Sequence, residues 1–451
     1  MKAHMHLIFL LATVIATGFA IQVQAVTDSI SISINEMIQK AVQLSSQRMA
    51  AESDMNAQHY KAKQAWAGLG PRVSAEYSDA RFDKKLEKQI NTPAFSMTMP
   101  LRDDKARTGG ITVAQPILGL YPLIQYANFE NTQYDMKQAI LKITEREIAF
   151  GAAEAYRHAQ QAVEMMLITE ASIRAAENQN KDAETLFRVG KLTRGDVLKI
   201  EMAILDAKAQ AAKAEAMKET AFSALCEMLG LSLPCALKLD LLNRDVTESV
   251  YPIPDLNTAI TKALAKRIEI TTANQGVDLA GFGKQLAYAK FTPQVNAFVK
   301  WERDFVTEEK DQKNTRTIGF QATWDLWDNG SRFFAVYEAS EQYAKAEAMK
   351  NDQEKKIRLE VYQAIENLKA AQETLSLARG AAIQAEESYR IEQVRFKSGA
   401  STTTDLLLSE AAQTKARSGY ISTLTELDIQ NMRVQKAIGE DRPITVQPSK
   451  K

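Results

Sequence analysis

Residues 187–198 read FRVGKLTRGDVL, and residues 396–407 read FKSGASTTTDLL. The match runs on without a gap from 187–230 to 396–439 at a constant offset of 209 (396 − 187), pairing Phe187 with Phe396, Gly190 with Gly399, Thr193 with Thr402, Asp196 with Asp405, Glu201 with Glu410 and Gly230 with Gly439. Gly110 and Gly319, and Tyr134 and Tyr343, keep the offset upstream. Nearer the N-terminus it becomes 222 (293 − 71), pairing Pro71 with Pro293, Val73 with Val295, Ala75 with Ala297 and Asn35 with Asn257. The chain is one supersecondary unit written twice, and a repeat of this kind decides the fold before any single residue does. One length difference separates the copies, within residues 77–110, as expected of an exposed loop.

Each copy opens with a helix, 33–68 or 255–290, announced by Ser33 with Glu36 three residues on, and by Asp255 before Leu256 and Ile260. A second helix spans about 123–188 and again 332–397, free of internal Pro and rich in Ala, Glu, Gln, Lys and Leu. At 1.5 Å per residue it is about 100 Å long, and such a helix needs partners along its whole length. A third, 193–229 or 402–438, is about half as long, so two short helices laid end to end match one long one. This predicts a bundle of even height.

Between the first and second helices the apolar period changes from helical to two. Val295, Ala297, Val299 and Trp301 alternate with polar residues, as do Ile318, Phe320, Ala322 and Trp324; Val73, Ala75 and Tyr77, then Ile111 and Val113, repeat this in the first copy. Residues 71–117 and 293–326 therefore read as β-hairpins with strands near the 9 to 11 residues that cross a bilayer. A soluble sheet with one wet face alternates in the same way. Three features favour a membrane barrel: an export signal, aromatic residues near the strand ends (Tyr77, Tyr121, Phe291, Trp301, Trp324, Trp327), and no second sheet to cover the apolar face. Four strands cannot close alone, since the smallest such barrels have about eight, so closure calls for a homotrimer of twelve.

The signal is read in residues 1–25, with one Lys, an apolar stretch and a small-x-small ending at Val23-Gln24-Ala25. Residues 26–245 and 246–440 form the two repeats, and 441–451 a tail. Net charge is +0, with acids and bases mixed along the helices, so no basic stripe suits nucleic acid. Of four His, His59 and His158 stand isolated beyond the signal; no metal site, cofactor motif or catalytic cluster appears, and no enzyme is expected. The only cysteines, Cys226 and Cys235, close the first repeat. In an oxidising compartment a short disulfide loop and a pair of free thiols both fit.

Repeat, element order and turn motif together resemble the TolC-like outer-membrane efflux and secretion channels over essentially the whole mature chain. The carrying residues are the two turn motifs quoted first, with 115–118 (QPIL) and 324–330 (WDLWDNG) at the strand-to-helix junctions. The resemblance implies a mostly α protein with β structure: a trimeric twelve-strand outer-membrane β-barrel continuing into a twelve-helix periplasmic α-barrel. It implies a passive exit duct of a tripartite efflux or type I secretion system, meeting outer-membrane lipid through Tyr77, Trp301, Trp324 and Trp327. It would work with an inner-membrane transporter and a periplasmic adaptor (membrane fusion protein) docking on turns Val189, Gly190, Lys191 and Ser398, Gly399, Ala400. Asp196 and Asp405 would ring the periplasmic mouth; both are also Thr-x-x-Asp helix starts, and cap and pore acid are compatible roles. Two positions depart from the family pattern: Ser401 stands where its members place a basic gating residue, and Leu408 where they place a second acid. The rival is a periplasmic coiled-coil adaptor or scaffold without a channel, which has no use for two bilayer-length hairpins.

Overall fold

The computed structural model describes residues 30–93, 95–102, 104–240, 242, 251–305 and 314–443. The expected signal, 1–25, lies outside the described residues, as do 306–313 of the second hairpin tip and 444–451 of the tail. The first copy comprises β1 (Ile30–Ile32), α1 (Ile34–Leu44), α2 (Ser46–Ala67), β2 (Arg72–Arg81), β3 (Leu86–Thr92), β4 (Phe95–Arg102), β5 (Lys105–Leu118), α3 (Leu120–Arg188), α4 (Arg194–Met228) and β6 (Leu237–Leu239). The second comprises α5 (Leu256–Lys266), α6 (Ile268–Ala289), β7 (Gln294–Asp304), β8 (Asn314–Thr323), α7 (Ser331–Ser398) and α8 (Thr403–Ala437).

α1, α2 and α4 have 11, 22 and 35 residues against the 69 of α3, and all three pack along it. α5, α6 and α8 repeat these lengths against the 68 of α7. Two bundles of equal height result, joined where α3 meets α6 and α8. The seam on α7 is Ile357, Val361, Ala364, Leu368 and Ala371, all buried at alternating spacings of four and three. That is a coiled-coil period, which winds packed helices left-handedly. α3 meets its neighbours through buried Ala149, Ala152, Ala153 and Ala159, small enough for close helix approach, around Phe150 and Tyr156.

The structure corrects the single first helix of each copy. Both break, at Ser45 (ψ 123°) and at Arg267 (ψ 127°), positions related by the offset of 222. Ser45 caps the helix it starts, its hydroxyl accepting from the Arg48 amide at 3.4 Å. Arg267 makes no side-chain cap; it is buried and held by ions instead. Its guanidinium donates to Glu269 at 2.7 Å and to Glu360 on α7 at 2.6 Å, and Arg146 of α3 also donates to Glu269. Two further elements were not anticipated. β1 and β6 form a parallel pair beside the core of Met37, Ile38, Phe150, Tyr156, Leu225 and Cys226. The first hairpin tip, expected to be an exposed loop, carries the antiparallel ribbon β3–β4. This ribbon accounts for the length difference between the copies.

Candidate membrane-spanning sheet and helical tip

The hairpins join into one antiparallel sheet of order β2-β5-β7-β8. Residues directly opposite share a face, so the register sorts the side chains. One row reads Val73, Val113, Val299, Ile318; the next reads Ala75, Ile111, Trp301, Arg316; a third reads Gln115, Ala297, Phe320. The other face carries Ser74, Thr112, Lys300 and Thr317, with Glu76 and Glu302 in the next row and Lys300 paired to Glu302. One face is mostly apolar, with Arg316 and Gln115 its polar members in these rows, and the opposite face is largely polar. The apolar face is uncovered, with Ile318 80% and Phe320 74% exposed. From Val295 to Trp301 it runs about 20 Å along the strand.

Beyond this stretch the same face turns ionic, with Arg107 bound to Asp79 at 3.3 Å. Tyr77 and Trp301 lie toward that end, whereas Trp324 and Trp327 follow β8 at the helical end. Each of the latter has its indole N–H satisfied, to the Phe291 carbonyl at 3.2 Å and the Asn329 side chain at 2.9 Å. The repeated Gly110 and Gly319 lie under neighbours: a Cβ would stand 2.9 Å from the Trp301 carbonyl oxygen at one and 3.1 Å from the Phe298 ring at the other. Among the described residues β2 and β8 each have one partner strand, so both edges of the sheet are open.

At the far end of the bundles α3 turns into α4 and α7 into α8. Gly190 and Gly399 take φ 75° and 78°, the left-handed conformation that Gly adopts without strain. The amides of Lys191 and Ala400 close the turns onto the Leu186 and Arg395 carbonyls, at 2.9 and 2.8 Å. Val189, Lys191 and Ser398 flank the glycines and are exposed. Val197, Ile200, Phe396 and Leu406 pack into one cluster beneath both turns, placing them side by side. The paired Phe residues differ: Phe396 is 3% exposed in this cluster, whereas Phe187 is 41% exposed.

Asp196 and Asp405 are both reciprocal caps. Each accepts from a Thr hydroxyl, of Thr193 or Thr402, at 2.7 Å, while its own amide donates back to that hydroxyl at 3.3 and 3.1 Å. The Thr193 hydroxyl, helped by Lys199 at 3.7 Å, holds the Asp196 carboxyl below the usual carboxylate range. The offset of 209 puts Leu408 in the place of Lys199, so the second acid lacks that cation. Ser401, where the resemblance places a base, donates to Glu392, which also pairs with Arg395. The cation of this turn therefore sits before Gly399 rather than after it. Sequence reasoning missed two links between the hairpins of the tip: Lys397 to Asp182 at 3.3 Å and Lys199 to the Thr404 hydroxyl at 3.4 Å.

Cys226 and Cys235 form a disulfide with Cα atoms 6.5 Å apart, and Cys226 lies in the core that holds α1 to α3 and α4. Among the described residues no group of His, Cys, Asp and Glu could hold a metal, and no helix is long and apolar enough to cross a membrane.

A model of a family described as outer membrane efflux protein matches residues 37–231 and 259–440. No curated protein matches significantly. Among solved structures, CusC, described through conformational changes accompanying folding and transmembrane channel formation, superposes with TM-score 0.77 at 14% identity, covering 90% of this chain and 92% of its own. The Campylobacter jejuni CmeC outer membrane channel gives 0.75 at 14%, covering 90% and 85%. The open state of the Neisseria gonorrhoeae MtrE outer membrane channel gives 0.74 at 16%, covering 91% of each. At these identities the superpositions establish a shared fold.

Proposed function

The chain belongs to the outer membrane efflux protein family, and on that premise we propose that three copies join edge to edge, β8 of one to β2 of the next, into a twelve-strand barrel continued by a helical periplasmic tunnel. As a family member it is an outer-membrane protein with a periplasmic extension, not an enzyme. The carrying observation is the four-stranded sheet with one mostly apolar, uncovered face and two open edges. In lipid every backbone amide and carbonyl must find a partner, so open edges must close on another copy. The polar face then lines a water-filled lumen, and Tyr77, Trp301, Trp324 and Trp327 sit where aromatic residues favour the membrane surfaces.

In this reading the duct is passive. A periplasmic adaptor docks on the exposed turns at Val189, Gly190, Lys191 and Ser398, Gly399, Ala400, and an inner-membrane transporter supplies the substrate, as in tripartite efflux or type I secretion. Repeats 26–245 and 246–440 supply equal shares of the wall. Asp196 and Asp405, each tripled, face the narrow mouth, with Asp405 the less compensated. A coiled-coil adaptor reading leaves the uncovered apolar face without a purpose.

The test is an inter-chain cysteine crosslink between β2 and β8 in intact cells, followed by fractionation. A crosslinked trimer in the outer membrane is expected. A monomer in the soluble periplasmic fraction would refute the barrel.

A further inference from the structure

Glu410 lies on α8, five residues and so about 8 Å along the helix beyond Asp405. It is 7% exposed. Its carboxylate accepts a long hydrogen bond from the Ser172 hydroxyl of α3 at 3.5 Å, and the Gln179 side chain bonds it too. Beside it Gln179, also of α3, donates through Nε2 to the Tyr389 hydroxyl of α7 at 2.9 Å, while Gln179 Oε1 is buried without a partner. The cations nearby are engaged elsewhere: Lys199 of α4 lies 3.7 Å from Asp196, and Arg417 of α8 lies 2.7 Å from Glu386 of α7. Lys415 of α8 and Asp206 of α4 line the groove that Glu410 borders, and no ion pair to Glu410 forms among the described residues.

The duplication supplies a comparison within the molecule. Glu201 occupies the corresponding place on α4, where it is more exposed and paired with Arg194 at 3.4 Å. Glu410 has lost both water and cation. An ionised carboxylate here has only neutral donors, the Ser172 hydroxyl and the Gln179 side chain, whereas a protonated one adds a donor beside the orphaned Gln179 Oε1. Burial accordingly holds the Glu410 carboxyl above its ordinary value of 4.5. Burial also pushes the Tyr389 phenol up, so that group stays neutral throughout.

We propose that Glu410 is a proton-operated latch: protonated, it closes the polar cluster and holds α8 against α3 and α7 just inside the tip; ionised, it leaves a buried charge and α8 loosens. The sign follows from the raised value. The protonated packing is intact at low pH and weakens as pH rises from about 4.5 through the raised value. Calling the loosened state an opening rests on the duct reading above.

The test uses full-length protein in detergent and in planar bilayers, comparing wild type with Glu410→Gln, which imitates the protonated group, and with Glu201→Gln as control. Expected in wild type are a protonated-carboxyl infrared band that Glu410→Gln abolishes and a melting temperature that falls as pH rises above the ordinary value of 4.5. Glu410→Gln should flatten that fall, and Glu201→Gln should keep it. In bilayers the closed-to-open ratio of wild type should fall with rising pH, by at most about tenfold per unit for each latch. Channels in which Glu410→Gln keeps the wild-type pH response would overturn the latch and leave the duct standing. The expected band and melting slopes without conductance at any pH would leave the latch standing and remove the duct.

Discussion

Replacing Glu269 by Gln should weaken the protein in a pH-dependent way that the ion network at the α5–α6 break determines. Burial opposes ionisation of Glu269, but hydrogen bonds from Arg267 and Arg146 prevail and hold its carboxyl down from 4.5 to about 2. The difference, 4.5 − 2 = 2.5 units, at about 1.4 kcal/mol each corresponds to about 3 kcal/mol per protomer at neutral pH. The side chain is only 18% exposed, so solvent screening takes little from this figure. Because the folded value is depressed, the contribution is complete well above pH 4.5 and is lost as pH falls toward 2; at about pH 3 roughly 1.4 kcal/mol remains. Thermal unfolding in detergent, followed by circular dichroism, should show Glu269→Gln well below wild type at about pH 7 and the gap more than halved at about pH 3. A gap of equal size at both pH values would show that Glu269 acts by packing rather than by charge, and no gap at neutral pH would refute the network's role.

Asp405→Asn keeps an acceptor for the helix cap, so stability should change by less than about 1 kcal/mol, while bilayer recordings show reduced cation preference and weaker block by multivalent cations; Asp196→Asn should show less, because Lys199 already offsets it. An unchanged selectivity with a lowered melting temperature would make Asp405 a cap alone. At Gly399 nothing lies within 4 Å of the position a Cβ would take, so Gly399→Ala should cost only the left-handed backbone strain, about 1–2 kcal/mol. Gly399→Trp should block export in cells while the trimer persists on gels, and surviving export would remove the docking role of this turn. Reduction of Cys226–Cys235, nine residues apart, releases a loop worth about 2–3 kcal/mol, to be read as a drop in unfolding midpoint with reductant that Cys235→Ser abolishes.

The repeat, the long helices and the hairpins were legible because each has its own period and the duplication shows it twice. The breaks in the first helices were less so. Ser45 followed by Ser46 is a capping signal, hidden inside an unbroken helical pattern. Arg267 offers none, since its break is held by Glu360 from α7 and by Glu269, which Arg146 of α3 also binds. Such long-range pairing leaves no local trace. In β3–β4 the alternation of Phe95, Met97, Met99 and Leu101 was present but masked by surrounding charge, and β1 and β6 are too short to carry a period. At the tip the reciprocal caps were readable from Thr-x-x-Asp. The unequal compensation of the two acids was also present in the sequence, in Leu408 standing at the repeat position of Lys199. The isolation of Glu410 was not, because it depends on which face of α8 turns toward Gln179 and Tyr389.

The two open edges of the sheet differ from each other, β2 on one side and β8 on the other. The proposed three-copy ring, joined through these unlike edges, has no spare contact: every copy must supply a sound edge on both sides. A chain damaged only in β8 still presents an intact β2, so it enters assembly and then stops it. Such an allele would be dominant, and equal expression with the normal chain would leave about one ring in eight built wholly from sound copies. Loss of the entire chain would be the milder lesion in a cell that carries a second copy of the gene.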